Sequence, residues 1–281
     1  MEIKIDNFST GYGKTEVLHH VCFGVVNPGI YVVLGKNGAG KTTLFRAMTG
    51  MLRAFSGSIL FDGIPEDQSE VRIAYLSHKN SIPMGMTVKD AMNFFGHIEG
   101  VSQEMINNII SEFNLIDLLD RNVQSLSQGQ KKRVSLAKSL IGSKEVIILD
   151  EPTANLDPQF SSEIREMILK LAKTSVVFYS SHNLYEATDI GMDVIALDGG
   201  NVVYTGDING LSTGSYRIGI RGKGIEKLTD DYTMDGKYFV FDLKSPSDAA
   251  ALISKLASSG AMIYEVKDLS NPLGRFFNDK A

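Results

Sequence analysis

A glycine-rich segment near the start of the chain contains residue types that bind phosphate. Residues 35–42 have the sequence Gly-Lys-Asn-Gly-Ala-Gly-Lys-Thr and follow the apolar residues 30–34. Glycines let the backbone adopt positive φ and approach a ligand closely, so that successive amide groups converge on phosphate oxygens at a helix start. In this pattern Lys41 supplies a point charge, and the Thr42 hydroxyl can bind Mg²⁺. The alternative is an ordinary glycine-rich turn between a strand and a helix. The candidate phosphate-binding residues are Gly35, Asn37, Gly38, Ala39, Gly40, Lys41, Thr42 and Thr43.

Two adjacent carboxylates follow a second apolar run, at residues 146–149. Asp150 and Glu151 come directly after it, and a proline ends the segment. If this run is a strand of a parallel sheet, its end lies at the same edge as the phosphate loop. There Asp150 can hold Mg²⁺ through water, and Glu151 can polarise the water that attacks a γ-phosphate. A strand that simply ends in an acidic turn is the alternative.

Short apolar runs separated by helical patterns indicate the elements that position these residues. Such runs are typical of parallel strands buried on both faces, and they occur at residues 31–34, 73–76, 146–149 and 176–179. Helical spacing is found between and around them, at residues 88–98, 105–113, 127–141 and 164–172. We therefore predict an α/β fold with a parallel sheet core, a helical lobe at about residues 79–144, and antiparallel strands flanking the sheet. One of these flanking strands belongs to a hairpin at Asp198-Gly199-Gly200-Asn201.

The pattern changes near residue 210, which divides the chain into two predicted domains. Residues 1–209 form the domain just described, and residues 210–281 are predicted to form a small α+β domain of unknown role. Ser245, Pro246 and Asp248 are placed as the cap, first-turn proline and capping-box acid of a helix that Gly260 ends. Histidine and cysteine are absent from residues 211–281, so no chemistry is assigned to them.

Composition limits the classes of partner and compartment. The 281-residue chain carries a net charge of −5 without a long basic block, so neither nucleic acid nor anionic lipid is favoured as a direct partner. The single cysteine, Cys22, cannot form an internal disulfide and is predicted to pack in the core in a reducing compartment. No apolar stretch approaches the roughly 18 residues that span a bilayer, so any membrane function requires another chain.

A capped, basic amphipathic helix begins at Leu126-Ser127-Gln128-Gly129-Gln130. Together with the phosphate loop and the acidic pair, this segment resembles the signature motif of the ATP-binding-cassette family, a class of P-loop NTPase. The family more often has glycine where this chain has Gln128. The resemblance covers residues 1 to about 209 and implies that Ser127, Gly129 and Gln130 bind nucleotide, with Ser127 and Gly129 meeting the γ-phosphate.

Four further positions bear on the resemblance to the family. Tyr12 lies where the family stacks an aromatic ring on adenine, and residues 155–157 match a loop that crosses the dimer interface. His182 matches the histidine that contacts the γ-phosphate. His78 stands where the family has a glutamine that touches Mg²⁺ and the attacking water. Either His78 replaces that ligand with some pH sensitivity, since histidine titrates near neutrality, or the metal contact is lost.

The resemblance implies a Mg²⁺-dependent ATPase in which Lys41, Glu151 and His182 act in catalysis. It implies that two cassettes, identical or paralogous, sandwich ATP and drive a separate transmembrane permease from the cytoplasmic face of the membrane. An Fe–S assembly type cassette that acts without transport is the alternative, whereas the signature motif and His182 argue against a kinase or GTPase. Substrate, transport direction and the role of the C-terminal domain are left open.

Overall fold

The computed structural model describes residues 1–77, 82–83, 85–154, 156–181, 193–207 and 216–269. The chain divides into two compact units, Met1–Gly206 and Asp207–Ala281, and each is described by itself. The strands of the first unit are β1 (Ile3–Tyr12), β2 (Thr15–Val25), β3 (Gly29–Leu34), β4 (Ala54–Phe61), β5 (Ile64–Pro65), β6 (Ile73–Leu76), β7 (Val146–Leu149), β8 (Val176–Ser181), β9 (Asp193–Asp198) and β10 (Asn201–Asp207).

A six-stranded sheet in the order β10-β9-β3-β8-β7-β6 forms the centre of this unit. Strand β3 pairs in parallel with both β8 and β9, and β7 pairs in parallel with β6 and β8. Every residue of β3, β7 and β8 is buried, as the continuous apolar runs predict for strands covered on both faces. The predicted α/β fold with a parallel sheet is confirmed. Gly199 and Gly200 have φ values of 50° and 81°, as expected for the tight turn that joins β9 to β10.

A second, antiparallel sheet in the order β2-β1-β4-β5 provides the predicted flank. It shares one apolar core with the central sheet and with the first helix, α1 (Lys41–Met48). Phe45 and Met48 of this helix are fully buried in that core. Helix α1, which follows the phosphate loop directly, is therefore fixed by packing on its apolar face.

Each of the remaining α-helices described in the first unit begins at a polar side chain that caps it. They are α2 (Val88–Ile98), α3 (Gln103–Glu112), α4 (Gln128–Ser139) and α5 (Pro158–Leu171). The caps are Thr87, Ser102, Ser127 and Asp157, each accepting a hydrogen bond from a backbone N–H of the first turn. Helices α2 and α3 pack together and α2 also contacts α4, so these three helices form a lobe between β6 and β7.

The described part of the second unit contains a four-stranded antiparallel sheet, one α-helix and a short 3₁₀ helix at Ile225–Lys227. Its elements are β11 (Tyr216–Lys223), β12 (Thr233–Asp235), β13 (Tyr238–Leu243), α6 (Pro246–Ser258) and β14 (Met262–Asp268). The sheet order is β12-β13-β11-β14, and its core contains Ile220, Phe241 and Leu256. Ser245 caps the start of α6. Gly260, with φ of 95°, follows the end of this helix.

Cys22 contradicts one prediction made from the sequence. It is exposed on β2 and does not pack in the core. Its Sγ accepts a hydrogen bond from the backbone N–H of Asn7 at 3.1 Å. The neighbours Val21 and Phe23 are buried. Because successive side chains of a strand point to opposite faces of the sheet, Cys22 between them points outward.

Candidate functional site

The phosphate loop joins β3 to α1 in a conformation that requires glycine. Gly38 and Gly40 have φ values of 84° and 107°, in the region that favours glycine. A Cβ on Gly40 would lie 2.7 Å from Cδ2 of Leu18, and one on Gly35 would lie 2.7 Å from the carbonyl oxygen of Leu197. Both positions therefore exclude a side chain. The loop ends at the start of α1, where backbone N–H groups and the helix dipole favour an anion.

Lys41 folds its side chain back into this loop. Its Nζ donates hydrogen bonds to the carbonyl oxygens of Gly35 at 2.6 Å and Lys36 at 3.2 Å, and the side chain is only 6% exposed. Burial lowers the pKa of Lys41, while the negative charges of Glu151 and Asp150 oppose that shift. Because Nζ lies 3.9 Å from Oε1 of Glu151, the loop and the acidic strand end meet at this lysine.

Thr42 and Asp150 bring two oxygen ligands together. The Thr42 hydroxyl donates to Oδ2 of Asp150 at 2.7 Å, and Ser180 Oγ donates to Oδ1 at 2.8 Å. Asp150 is 2% exposed, so these hydrogen bonds compensate for the burial of its carboxylate. Mg²⁺ in nucleotide sites takes one or two carboxylates together with phosphate oxygens and water, and the Thr42 and Asp150 donors fit that requirement. Within the described residues, no group of three or more His, Cys, Asp or Glu side chains forms a separate metal site.

Glu151 occupies a left-handed backbone conformation with φ of 49°. Such a conformation costs of order 1–3 kcal/mol for a residue other than glycine and persists where surrounding contacts enforce it. The backbone N–H of Glu151 donates to Ser180 Oγ at 2.9 Å, and Lys132 Nζ donates to the carbonyl oxygen of Glu151 at 3.4 Å. Ser180 on β8 therefore orients both neighbouring acidic residues, Asp150 and Glu151, which follow β7.

A cavity of about 480 Å³ opens between the loop and the strand ends. It is lined by Asn37, Thr42, Arg46, Tyr75, Ser77, Asp150 and Glu151. The Tyr75 hydroxyl is the one buried side-chain oxygen or nitrogen without a hydrogen-bond partner among the residues that the structure describes. Burial and, to a smaller extent, the charge of Asp150 raise the pKa of Tyr75 to about 12. The nearby Arg46 guanidinium opposes this shift in pKa. Because the net effect raises the pKa, Tyr75 is a neutral hydroxyl at physiological pH.

The Tyr12 ring lies beside Arg46 of helix α1. The side chain is 44% exposed, and its hydroxyl accepts a hydrogen bond from Nη1 of Arg46 at 3.1 Å. The Arg46 guanidinium also lies 6.0 Å from the centre of the Tyr12 ring. Arg46 on α1 thus connects the predicted adenine-stacking residue with the cavity beside the phosphate loop.

The signature residues lie on a different element, at the start of α4. Ser127 is exposed, its hydroxyl accepts from the backbone N–H of Gln130 at 3.2 Å, and Gln130 Oε1 accepts from the backbone N–H of Ser127 at 3.1 Å. Gly129 is buried, and a Cβ there would lie 2.8 Å from the ring of Phe160 on α5. Ser127, Gly129 and Gln130 do not line the cavity described above. The structure therefore brings the loop and acidic pair together, while the signature residues lie at a separate helix start, where Ser127 is exposed and Gly129 is buried.

Some predicted site residues cannot be located. His78, Asn155 and His182 lie outside the described residues. Conversely, sequence reasoning did not single out Lys132, Ser180, Arg46 and Tyr75, which the structure places around the site. Only two signals pointed to them: Arg46 follows Thr42 by one helical turn, and Lys132 lies within the predicted helix after Ser127.

The parallel sheet and the phosphate loop beside an acidic strand end together define a nucleotide-binding protein of the P-loop class. The family model described as ABC transporter matches residues 18–154. The lantibiotic transport ATP-binding protein SrtF of Streptococcus pyogenes is 33% identical over 186 residues, covering 66% of this chain and 81% of the relative. The chain therefore belongs to the ABC transporter family, and it is an ATP-binding ATPase subunit of that family.

Solved structures show the same fold. The structure of CbiO1 from Clostridium perfringens, described as part of the ABC transporter complex CbiONQ, has a TM-score of 0.66 and 27% identity. The similarity covers 75% of this chain and 90% of the CbiO1 chain. A dimeric ATP-binding cassette in a post-hydrolysis state with ADP and Pi has a TM-score of 0.65 and 19% identity, covering 73% of this chain and 98% of that chain.

Helix length and polarity bear on membrane insertion. None of the helices in the described ranges is long and apolar enough to cross a membrane.

Proposed function

We propose that this chain couples ATP hydrolysis to transport by a separate transmembrane permease, through ATP-dependent closure of a pair of cassettes. The observation that carries the proposal is the hydrogen-bonded network from Thr42 through Asp150 and Ser180 to Glu151, beside Lys41. In this proposal Lys41 binds phosphate, the oxygens of Thr42 and Asp150 bind the metal ion, and Glu151 is the general base. Thr42, Asp150 and Glu151 line the cavity, and Lys41 Nζ lies 3.9 Å from Oε1 of Glu151. Phosphoryl transfer to water requires those three kinds of group.

Each group has a definite role in this proposal. The amides of residues 38–43 and Lys41 hold the β- and γ-phosphates, and the Tyr12 ring stacks on the adenine. Glu151 accepts a proton from the water that attacks the γ-phosphate, and Lys41 helps to stabilise the charge that develops. Gly35, Asn37, Ala39 and Thr43 shape the loop. His182 keeps its predicted role as a γ-phosphate contact. For His78 both alternatives stand: it replaces the family's glutamine as a metal ligand, or that metal contact is lost.

Thr42 and Asp150 would hold Mg²⁺ in this site, Thr42 through its hydroxyl and Asp150 through its carboxylate. When bound, the ion supplies charge that neutralises the phosphate oxygens. The hydrogen bond from Ser180 leaves Oδ2 of Asp150 directed at Thr42. The protein thus presents both ligands in a fixed geometry before nucleotide binds.

The exposed position of Ser127 supports a site that two chains complete. Its hydroxyl and the start of α4 face solvent and are available to a second molecule. The structural similarity to a dimeric cassette with ADP and Pi is consistent with this arrangement. In the proposed dimer, Ser127, Gly129 and Gln130 of one chain meet the γ-phosphate bound by the other, so the free energy of ATP binding favours the closed pair.

The transport role follows from the relatives. SrtF is named as a transport ATP-binding protein and CbiO1 as part of a transporter complex. We therefore place the chain at the cytoplasmic face of the membrane, held there by its permease. The alternative, an Fe–S assembly type cassette, is not favoured by these relatives. Copurification of a multispanning membrane protein with the full chain tests the assignment, and its absence under mild detergent conditions would contradict it.

The substitution Glu151→Gln tests the catalytic assignment. Removing the base should lower the ATP turnover number by about 10²- to 10³-fold while leaving ATP binding intact, because the amide keeps the size of the side chain. The arrested chain should form a stable ATP-bound dimer, detectable by light scattering after size-exclusion chromatography. Glu104→Gln, at an exposed position on α3, is the matched control and should behave as the wild type. Turnover within a few fold of the wild type in Glu151→Gln would refute the assignment.

A further inference from the structure

The main chain of Glu151 is held from two sides. On one side its N–H donates to Ser180 Oγ at 2.9 Å, and on the other Lys132 Nζ donates to its carbonyl oxygen at 3.4 Å. The φ of 49° shows that the residue is kept in a conformation that it would not adopt freely. Since backbone conformation sets the direction of the side chain, both contacts determine where the Glu151 carboxylate points.

Lys132 belongs to α4, the helix that begins at the exposed Ser127. It lies about one and a half helical turns beyond Ser127. The lysine is partly buried, and removing an ammonium group from water is costly unless other groups compensate for it. Burial lowers the pKa of Lys132, and the negative charges of Asp150 and Glu151 oppose that shift. The lysine is therefore directed from the signature helix towards the acidic pair of its own chain.

We propose that Lys132 is a positioning residue that fixes the main chain of Glu151 and links it to the helix that begins at Ser127. This inference rests on the proposed function, in which Glu151 is the base and Ser127 meets the partner's nucleotide. A displacement of α4 when Ser127 engages that nucleotide is transmitted through the Lys132 hydrogen bond to Glu151. Each chain thereby adjusts its own base in response to its contact with the partner's ATP.

The substitution Lys132→Met tests the positioning role, because it keeps the length of the apolar stem and removes the donor and charge. We expect the turnover number to fall by about tenfold, the lower end of the effect of losing a group that orients a site residue. The KM for ATP and the melting temperature should stay close to those of the control, Lys131→Met. Lys131 is the neighbouring lysine of α4 and points about 100° away around the helix axis. Lys132→Arg retains a donor and should recover most of the turnover.

A double-mutant cycle with Ser127→Ala tests the link to the start of α4. If Lys132 transmits the contact made by Ser127, the loss of turnover caused by Ser127→Ala should be about threefold smaller in the Lys132→Met background. Multiplicative, independent losses would overturn the link. Unchanged turnover in Lys132→Met would overturn the positioning role. A loss of turnover that is accompanied by weaker ATP binding and a lower melting temperature would also overturn it.

The two proposals fail differently. If Glu151→Gln retains turnover, the catalytic assignment on which this inference rests is wrong, whatever Lys132→Met does. If Glu151→Gln loses turnover and Lys132→Met matches Lys131→Met, the proposed function stands and only the inference about Lys132 is wrong.

Discussion

At the scale of single residues, the Ser180 hydroxyl separates the roles of two neighbouring carboxylates. It donates to Oδ1 of Asp150 and accepts from the N–H of Glu151. Asp150 is thereby held against Thr42, whereas the Glu151 side chain is directed towards Lys41. Adjacent residues of a strand end acquire different surroundings, so one can hold a metal ion while the other handles a proton.

Tyr75→Phe should stabilise the chain in the absence of nucleotide. The buried hydroxyl of Tyr75 has no hydrogen-bond partner among the described residues, so its removal ends a desolvation penalty. We expect the free energy of unfolding to rise by about 1 kcal/mol, measured by denaturant unfolding. Because Tyr75 lines the cavity with Thr42 and Arg46, the same substitution should weaken ATP binding. Tyr264→Phe, at an exposed position, is the control and should change neither quantity.

The same hydroxyl makes stability depend on pH in the alkaline range. Burial raises the pKa of Tyr75 from 10.0 to about 12, so between these values the unfolded chain loses a proton that the folded chain retains. The folded state then binds more protons, and the free energy of unfolding falls as pH rises through this interval. Unfolding measured across that interval should show a smaller decrease in Tyr75→Phe than in the wild type. Equal decreases in the two proteins would contradict the assigned burial of the hydroxyl.

The residues that carry chemistry in sequence-local patterns could be predicted, and those that act across the fold could not. Glycines and Lys41 of the loop follow each other in the chain, and Asp150 directly follows an apolar run. Ser180 and Lys132 reach Glu151 from 29 and 19 residues away. Serines and lysines at such positions resemble ordinary surface residues until the sheet order and the helix packing are known.

At the scale of elements, α4 and α5 are held together by a contact that leaves no space for a side chain. Gly129 is buried against the Phe160 ring. The Arg133 guanidinium lies 5.4 Å from the centre of that ring and pairs with Glu163 of α5. The absence of a Cβ at Gly129 lets the start of α4 approach α5 closely, and this approach sets the position of Ser127.

Gly129→Ala should therefore displace the start of α4. An added Cβ would lie 2.8 Å from Phe160 Cγ, so the helices must separate, at a cost of about 1–3 kcal/mol in the free energy of unfolding. We also expect the turnover number to fall at temperatures where the variant is still fully folded, because Ser127 moves with the helix. Gln128→Ala, at an exposed position in the same turn, is the control. If Gly129→Ala and Gln128→Ala have equal turnover, the packing does not position Ser127.

Element boundaries followed capping residues more closely than apolar periodicity. Helix α5 begins at Pro158 after the Asp157 cap, although its apolar spacing predicted a start at residue 164. The first turn of α5 has Phe160 as its one large apolar residue, so its hydrophobic pattern is weak even though its cap is strong. The starts at Ser127 and Ser245 were predicted correctly, because there the prediction rested on the capping residue itself.

At the scale of the whole molecule, the two compact units have separate cores. The core of the first unit joins the two sheets through α1, and the core of the second lies between its sheet and α6. The site residues located by the structure, from Tyr12 to Ser180, all belong to Met1–Gly206. We propose that residues 1–209 form the nucleotide-binding domain and that residues 210–281 have a regulatory or dimer-stabilising role.

Truncation after Asp207 should leave the ATP affinity within about twofold of that of the full chain. The first unit has its own core and can fold alone, and it contains every site residue that the structure describes. Affinity is measured by titration with a fluorescent ATP analogue, and turnover is compared at saturating ATP. A rise in turnover identifies an inhibitory role for residues 208–281, whereas weaker dimerisation of the truncated Glu151→Gln chain identifies a role in holding the pair together. Ser245→Ala in the full chain is the matched control, since losing the α6 cap destabilises the second unit by about 1 kcal/mol without removing it. A tenfold loss of ATP affinity on truncation, with the first unit still folded by circular dichroism, would show that nucleotide binding requires the second unit.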